Sequence, residues 1–329
     1  MASLFRLSED RHLVYQRGLW TFSRKDCLVP LIRTSEDSQR DNHIRDLIAE
    51  IDDGRYMPAV PIGFIHRPKS NDVTRSVPVF NWRDLGAYFA VVLELDESLA
   101  KLRVPKTFGG WKLGSARRRM EEADARGIIS QSAPLSSFDR FSWLKNWQSY
   151  WKLIAAQQEF VPDSACFAIF DLANFYDSID LGRLLNLIRS ACPPDKSVAI
   201  NLLELFLCSW NKQNTGYALS SKGVPQDLVG DASRVLANAF LSQFDTDLTA
   251  RLRGQSSFFT RFSDDMIVGC ADRKQCEEAI RWASAKLQAL GLNINAGKVQ
   301  YLSKKELNNQ WRFDIMDFFE RGNVDHGLS

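Results

Sequence analysis

Hydrophobic positions recur along this chain with two different periods, and each change of period marks an element. Cys166 to Leu172 is a short apolar run that predicts a buried strand, with Phe167, Ile169 and Asp171 on one face. An acid closing such a strand must be solvated, paired or bound to a cation, because an isolated buried carboxylate is very costly. Helical spacing returns over Leu181–Ser190 and Val198–Trp210. From Asp231 onward, Ala232, Val235, Leu236, Ala239, Phe240 and Phe244 form one apolar stripe of a longer helix. Phe258–Phe262 and Met266–Cys270 flank Ser263-Asp264-Asp265 as strand, turn and strand. A helix over Cys276–Leu290 follows, ended by Gly291, and Leu292–Asn295 reads as a short strand.

Upstream the pattern is weaker. Residues 1–58 are polar and helix-compatible, with the charge-dense stretch from Ser35 to Asp46 expected to be solvated. Ile62–Ile65 and Arg75–Phe80 read as two strands joined by Lys69-Ser70-Asn71-Asp72, and Leu85–Leu95 as a buried helix. Lys101–Met120 carries seven Lys or Arg and no acid, with Phe108 and Trp111 interleaved. Its second half, from Arg117-Arg118-Arg119, is expected to open a helix. Trp143, Trp147 and Trp151 then fall on one helical face, a stripe that predicts core packing. The order strand, helices, helix, hairpin, helix, strand from Cys166 to Leu302 predicts an α+β fold, an antiparallel sheet with helices on one face.

Composition narrows the class. With 329 residues, 45% hydrophobic and 25% charged, the chain can bury a sizeable core. The net charge of +2 requires any nucleic-acid surface to come from local clustering. Six scattered cysteines without a C-x-x-C pair argue against zinc and for a reducing, cytoplasmic setting. No run approaches a membrane span and no signal-peptide core opens the chain, so no membrane partner is expected.

The chemistry-bearing positions are three acids. Asp171 lies 93 residues before Asp264, which is followed by Asp265. Brought together by a fold, they could hold two Mg²⁺ ions, as in-line nucleotidyl transfer requires. Phe170-Asp171-x4-Tyr176-Asp177-Ser178-Ile179, Gly223-Val224-Pro225-Gln226, Arg261-Phe262-Ser263-Asp264-Asp265 and Leu290-Gly291-Leu292-Asn293-Ile294-Asn295-x2-Lys298 resemble, in order and spacing, the blocks of bacterial reverse transcriptases. Those are the enzymes of group II introns, retrons and abortive-infection systems. The likeness covers roughly residues 60–302. The Phe-Ser-Asp-Asp form, Asp227 in place of the usual Gly and the long insertion before Pro162 are most similar to the divergent defence-associated members.

The resemblance implies a right-hand polymerase fold. A helical extension over 1–58 would precede fingers with a basic insertion over 59–165, then a palm over 166–329 carrying finger-side helices over 181–215. It implies Mg²⁺-dependent, RNA-templated DNA synthesis from dNTPs in bacterial antiphage defence. Asp171, Asp264 and Asp265 would be catalytic metal ligands. Tyr176 would pack under the nucleotide sugar, where a flat ring leaves no room for a 2′-hydroxyl. Gln226 would contact the incoming nucleotide, Lys69 and Arg75 would clamp its triphosphate, and Lys298 would donate a proton to the leaving pyrophosphate. The basic run Lys101–Arg119 would bind the phosphates of a template, a primer or a non-coding RNA. About 27 residues follow Leu302, too few for the family's helical thumb. Either the chain is cut short, or a partner subunit, a second copy or RNA supplies that grip. Two other readings stay open: template-independent, protein-primed polymerisation of the abortive-infection type, and a non-catalytic RNA-binding scaffold.

Overall fold

The structure, a computed structural model, describes residues 7, 9–25, 38–69, 73–113, 142–159, 161–162, 165–211, 216, 218–253 and 257–311. Arg117, Arg118 and Arg119 of the basic run, and Ser70, Asn71 and Asp72 of the expected hairpin turn, lie outside the described residues. In chain order come α1 (Glu9–Lys25), α2 (Arg40–Asp52), β1 (Gly63–Pro68), β2 (Thr74–Val79), α3 (Trp82–Ala100), β3 (Thr107–Phe108) and α4 (Ser142–Glu159). They are followed by β4 (Cys166–Phe170), β5 (Leu172–Ala173), the single turn α5 (Phe175–Ser178), α6 (Leu181–Ala191) and α7 (Ser197–Ser209). The last group is α8 (Asp231–Leu252), β6 (Phe258–Phe262), β7 (Asp265–Cys270), α9 (Arg273–Ala289), β8 (Asn293–Ile294), β9 (Gln300–Ser303) and α10 (Lys304–Trp311). No described helix is long and apolar enough to cross a membrane.

The chain divides into two compact units. The first comprises Met1–Arg103, Gly110–Lys145 and Tyr176–Ser242. Its centre is α3, buried along nearly its whole length, with an Asn81 cap accepting from the Asp84 amide at 2.8 Å. Helices α1, α2, α6 and α7 pack around it. The stretch expected to be solvated before Asp46 belongs in part to α2, whose Ile44, Leu47, Ile48 and Ile51 are buried. Its charges occupy one face and its aliphatic residues the other, so the segment is amphipathic. Buried acids of α3 are satisfied locally. Asp84 accepts from the Tyr56 hydroxyl at 2.8 Å, while Glu94 meets His12 Nε2 at 2.8 Å and Lys196 Nζ at 2.6 Å. Those partners hold the Glu94 carboxyl down to about 2 against the opposing effect of burial.

The second unit comprises Val104–Gly109, Asn146–Phe175 and Gln243–Ser329. Its sheet has the order β3-β6-β7-β4-β9, antiparallel throughout except for the parallel pair β3·β6. Helix α9 packs against β4 and β7. A second cluster joins Tyr150, Trp151 and Ile154 of α4 and Leu307 of α10 to Phe167, Phe258 and Ile267 of the strands. Helices therefore cover both faces of the sheet rather than one. The Trp-rich segment supplies the second cover: Trp151 is buried and Trp147 packs against the cluster, as the stripe predicted.

Gly269 sits opposite Phe258 in the ladder, and a Cβ there would lie 2.5 Å from the Phe258 ring. The ring is buried in the cluster, so making room for a methyl group would disturb its packing. Gly269→Ala is expected to destabilise the protein by about 1–3 kcal/mol in chemical denaturation, with an unchanged m-value. A wild-type midpoint would contradict this packing.

Candidate active site

The second unit brings three of the sequence-marked acids to one strand end. Strand β4 pairs with β7 in the register Cys166↔Cys270 to Phe170↔Met266. The next step of that register sets Asp171 beside Asp265. Residues directly opposite share a face, so both acids continue the face that carries Phe167 and Ile267. Like charges so placed repel, and the arrangement needs a compensating cation.

Asp264 comes from the two-residue turn between β6 and β7, where Phe262 pairs with Asp265. Ser263 takes φ of +55°, a left-handed slot usually given to glycine in tight hairpin turns. Strand β3 lies beside this turn. The Ser263 amide donates to the Phe108 carbonyl at 3.1 Å, and Ser263 Oγ donates to the Gly109 carbonyl at 3.4 Å. Gly109, at φ of +102°, leaves no space for a Cβ, which would fall 2.6 Å from Ser263 Oγ. Neither β3 nor this close approach was foreseen. The only sequence signal was Gly109-Gly110 following an apolar-basic alternation.

The block ending in Lys298 is wired to the Asp171 block by a small second sheet. Leu172 pairs with Ile294 and Ala173 with Asn293, and the Asn295 amide donates to the Asp171 carbonyl at 2.9 Å. This tether places Lys298 Nζ 2.6 Å from Asp171 Oδ2. The hydrogen bond raises the lysine above its ordinary value. Lys298 was expected to approach the pyrophosphate; in this structure its partner is Asp171.

Among the described residues no three His, Cys, Asp or Glu side chains are grouped closely enough to cage a metal ion as they stand. The donor set nevertheless fits a hard divalent cation. Asp171 Oδ1 is a buried carboxylate oxygen with no hydrogen-bond partner. The Asp265 carboxyl is pushed up to about 6, first by desolvation and then by the charges of Asp264 and Asp171, with Lys298 pulling the other way. A bound cation would reverse the share of this shift that comes from repulsion between the carboxylates. Behind the turn, Phe262 packs edge-on against Trp147, and the fully buried Tyr150 ring lies 5.7 Å from it.

The first unit holds the remaining candidates. The hairpin β1·β2 pairs Arg67 directly with Arg75, and the Lys69 amide donates to the Val73 carbonyl at 2.6 Å. Arg67 was missed, although its place opposite Arg75 puts a third cation on the face that bears Lys69. Burial raises the Asp177 carboxyl, while Arg75 and then Lys69 lower it, so the hairpin cations sense the Tyr176-Asp177 turn. That turn is helical; Phe175 is buried and Tyr176 partly exposed.

The Gly223–Gln226 loop docks on the same turn. The Gly223 amide donates to the Ile179 carbonyl at 2.8 Å and the Val224 amide to the Tyr176 carbonyl at 3.0 Å. Gly223 at φ of +92° makes that bend possible. Gln226 is partly exposed between the buried Pro225 and Asp227. The extra acid at Asp227 faces inward: its Oδ1 accepts from the amides of Val229 and Gly230 at 2.7 and 2.8 Å, and burial pushes it up to about 6.

The Asp265 shift gives a direct check. In metal-free protein, a carboxyl-carbon NMR titration of Asp265 should have its midpoint near pH 6. Asp264→Asn should move that midpoint down toward the ordinary carboxylate range. Because the folded value is raised, first by desolvation and then by the neighbouring charges, the destabilisation from ionised Asp265 is absent below about pH 4, the unfolded value, and fully present above about 6. Asp264→Asn should therefore stabilise the metal-free protein at pH 8 more than at pH 4. An unmoved midpoint would show that the two carboxylates do not interact.

A family described as reverse transcriptase (RNA-dependent DNA polymerase) matches residues 127–314, more than half of the chain. The β1·β2 hairpin lies before the matched stretch. No curated protein matches the sequence significantly. Similar solved structures include telomerase from Candida albicans in complex with a TWJ fragment of telomeric RNA. It is 13% identical, with a TM-score of 0.46 over 76% of this chain and 42% of that one. The corresponding telomerase complex from Candida tropicalis is 12% identical, with a TM-score of 0.42 over 75% and 42%. An apo Candida tropicalis telomerase truncated from its C-terminal domain is 11% identical, with a TM-score of 0.41 over 73% and 49%. This chain spans less than half the length of each. The chain belongs to the reverse transcriptase (RNA-dependent DNA polymerase) family.

Proposed function

We propose that this protein synthesises DNA from dNTPs on an RNA template, using two Mg²⁺ ions held by Asp171, Asp264 and Asp265. One observation carries the reading. The β4·β7 register sets two carboxylates side by side with a third on the adjoining turn, within the stretch that matches the family. Divalent ions are general in this family; bound here they would neutralise phosphate charge and make the primer hydroxyl a better nucleophile.

The chain's own residues account for the rest of the chemistry. Lys298 stands at the carboxylates with a proton to give to the leaving pyrophosphate. Lys69, Arg75 and Arg67 offer charge to a triphosphate, with arginine forks suited to paired phosphate oxygens. Tyr176 would lie under the sugar and exclude a 2′-hydroxyl, and Gln226 would contact the nucleotide from the adjoining loop. The described basic residues from Lys101 to Lys112 would meet nucleic-acid phosphates. The Phe-Ser-Asp-Asp form and Asp227 support placement among bacterial antiphage, cytoplasmic members of the family.

Asp264→Asn is expected to lower dNTP incorporation at least about 100-fold on a primed RNA template, with a metal-free melting temperature no lower than that of the wild type. Full activity in that variant would reject the assignment. Sequencing the wild-type product decides the mode: a defined copy is expected, whereas a random polymer would indicate untemplated synthesis. RNA binding without incorporation under any metal or primer would indicate a scaffold.

A further inference from the structure

We propose that Arg261 and Asp245 are positioning residues for the acidic turn: a buried guanidinium, oriented by Asp245, holds the Ser263 carbonyl and thereby sets where Asp264 and Asp265 present their carboxylates. The proposal rests on the polymerase reading of the site.

Both side chains are fully buried, at 0% exposure each. Arg261 Nε donates to Asp245 Oδ1 at 2.7 Å and Nη2 to Oδ2 at 2.6 Å, a two-pronged fork. The remaining arm, Nη1, donates to the Ser263 carbonyl at 2.9 Å. A planar group with three arms fixed leaves that carbonyl little freedom, and lysine has no equivalent geometry. The residue so held is the one in the left-handed conformation, φ of +55°. From the other side, Phe108 and Gly109 hold its amide and hydroxyl. Helix α8 supplies Asp245 and β3 supplies the second tie, so the turn is fixed by contacts that spare both carboxylates.

A buried ion pair is a poor way to add stability, since an apolar pair of similar volume often does as well or better. What the apolar pair lacks is a donor to the Ser263 carbonyl. The charge pair is thus better explained by geometry than by stability.

The double variant Arg261→Met with Asp245→Leu removes the pair without stranding a charge, and Arg261→Lys keeps the charge but loses the fork. Each is assayed for melting temperature, for Mn²⁺ affinity by electron paramagnetic resonance, and for kcat and KM in dNTP incorporation. The double variant should melt close to wild type and bind Mn²⁺ about 10-fold or more weakly. Its kcat should fall by about the same factor, with the KM for dNTP within about twofold. A folded variant with wild-type Mn²⁺ affinity and kcat would overturn the proposal. If the double variant fails to fold, Arg261→Lys decides by the same readouts. If wild-type protein incorporates no dNTP but the variants still lose Mn²⁺ affinity, the positioning role stands and the polymerase reading falls.

Discussion

The antiparallel pairing of Cys166–Phe170 with Met266–Cys270 brings Asp171 and Asp265 to one end of the two strands, where their charges repel. A sheet selected for stability alone would avoid such a pair. Its neighbours hold it in place. The ladder is anchored by Phe167, Phe258 and Ile267 in the cluster built by α4 and α10. Helix α9 backs the other side, where Cys276 Sγ donates to the Cys166 carbonyl at 2.9 Å. Apolar burial at one end of the two strands thus offsets electrostatic cost at the other.

Charge compensation at that end is incomplete in a telling way. Lys298 neutralises one oxygen of Asp171, the other oxygen is buried without a partner, and Asp265 is left with a raised carboxyl. Lysine is a single charge on a long stem, largely exposed, with a carboxylate it can leave. The site is a set of hard oxygen donors held near one another by backbone pairing rather than by mutual attraction. Such a set suits divalent cations and phosphate chemistry better than a purely structural role.

Much of this was legible in the residues. The strand ending at Asp171, the hairpin around Ser263-Asp264 and the helix closed by Gly291 follow from period and turn chemistry, and the structure has each within a few residues. Phe175 and Tyr176, neighbours on one helical turn, divide into buried and partly exposed. What could not be read depends on contacts distant in sequence. Strand β3 is two residues long and owes its existence to β6, more than 150 residues later. The pairing of Leu172–Ala173 with Asn293–Ile294 carries no local pattern either, yet it delivers Lys298 to Asp171. Helices on the second face of the sheet were missed because the Trp stripe shows that a face is buried and not what it is buried against. In the residues Asp227 stands only as an acid in place of the usual Gly; its hydrogen bonds from the Val229 and Gly230 amides show it serving the loop's own backbone.

The claim at the centre is that the fold assembles a shared cation site from Asp171, Asp264 and Asp265. A crystal structure with Mn²⁺ and a bound nucleotide, located by anomalous scattering, measures this most directly. The account predicts a peak within about 2.0–2.3 Å of Asp171 and of at least one of the other two carboxylates, with Lys298 displaced from Asp171. Manganese bound elsewhere, with the Lys298–Asp171 pair intact, would contradict it.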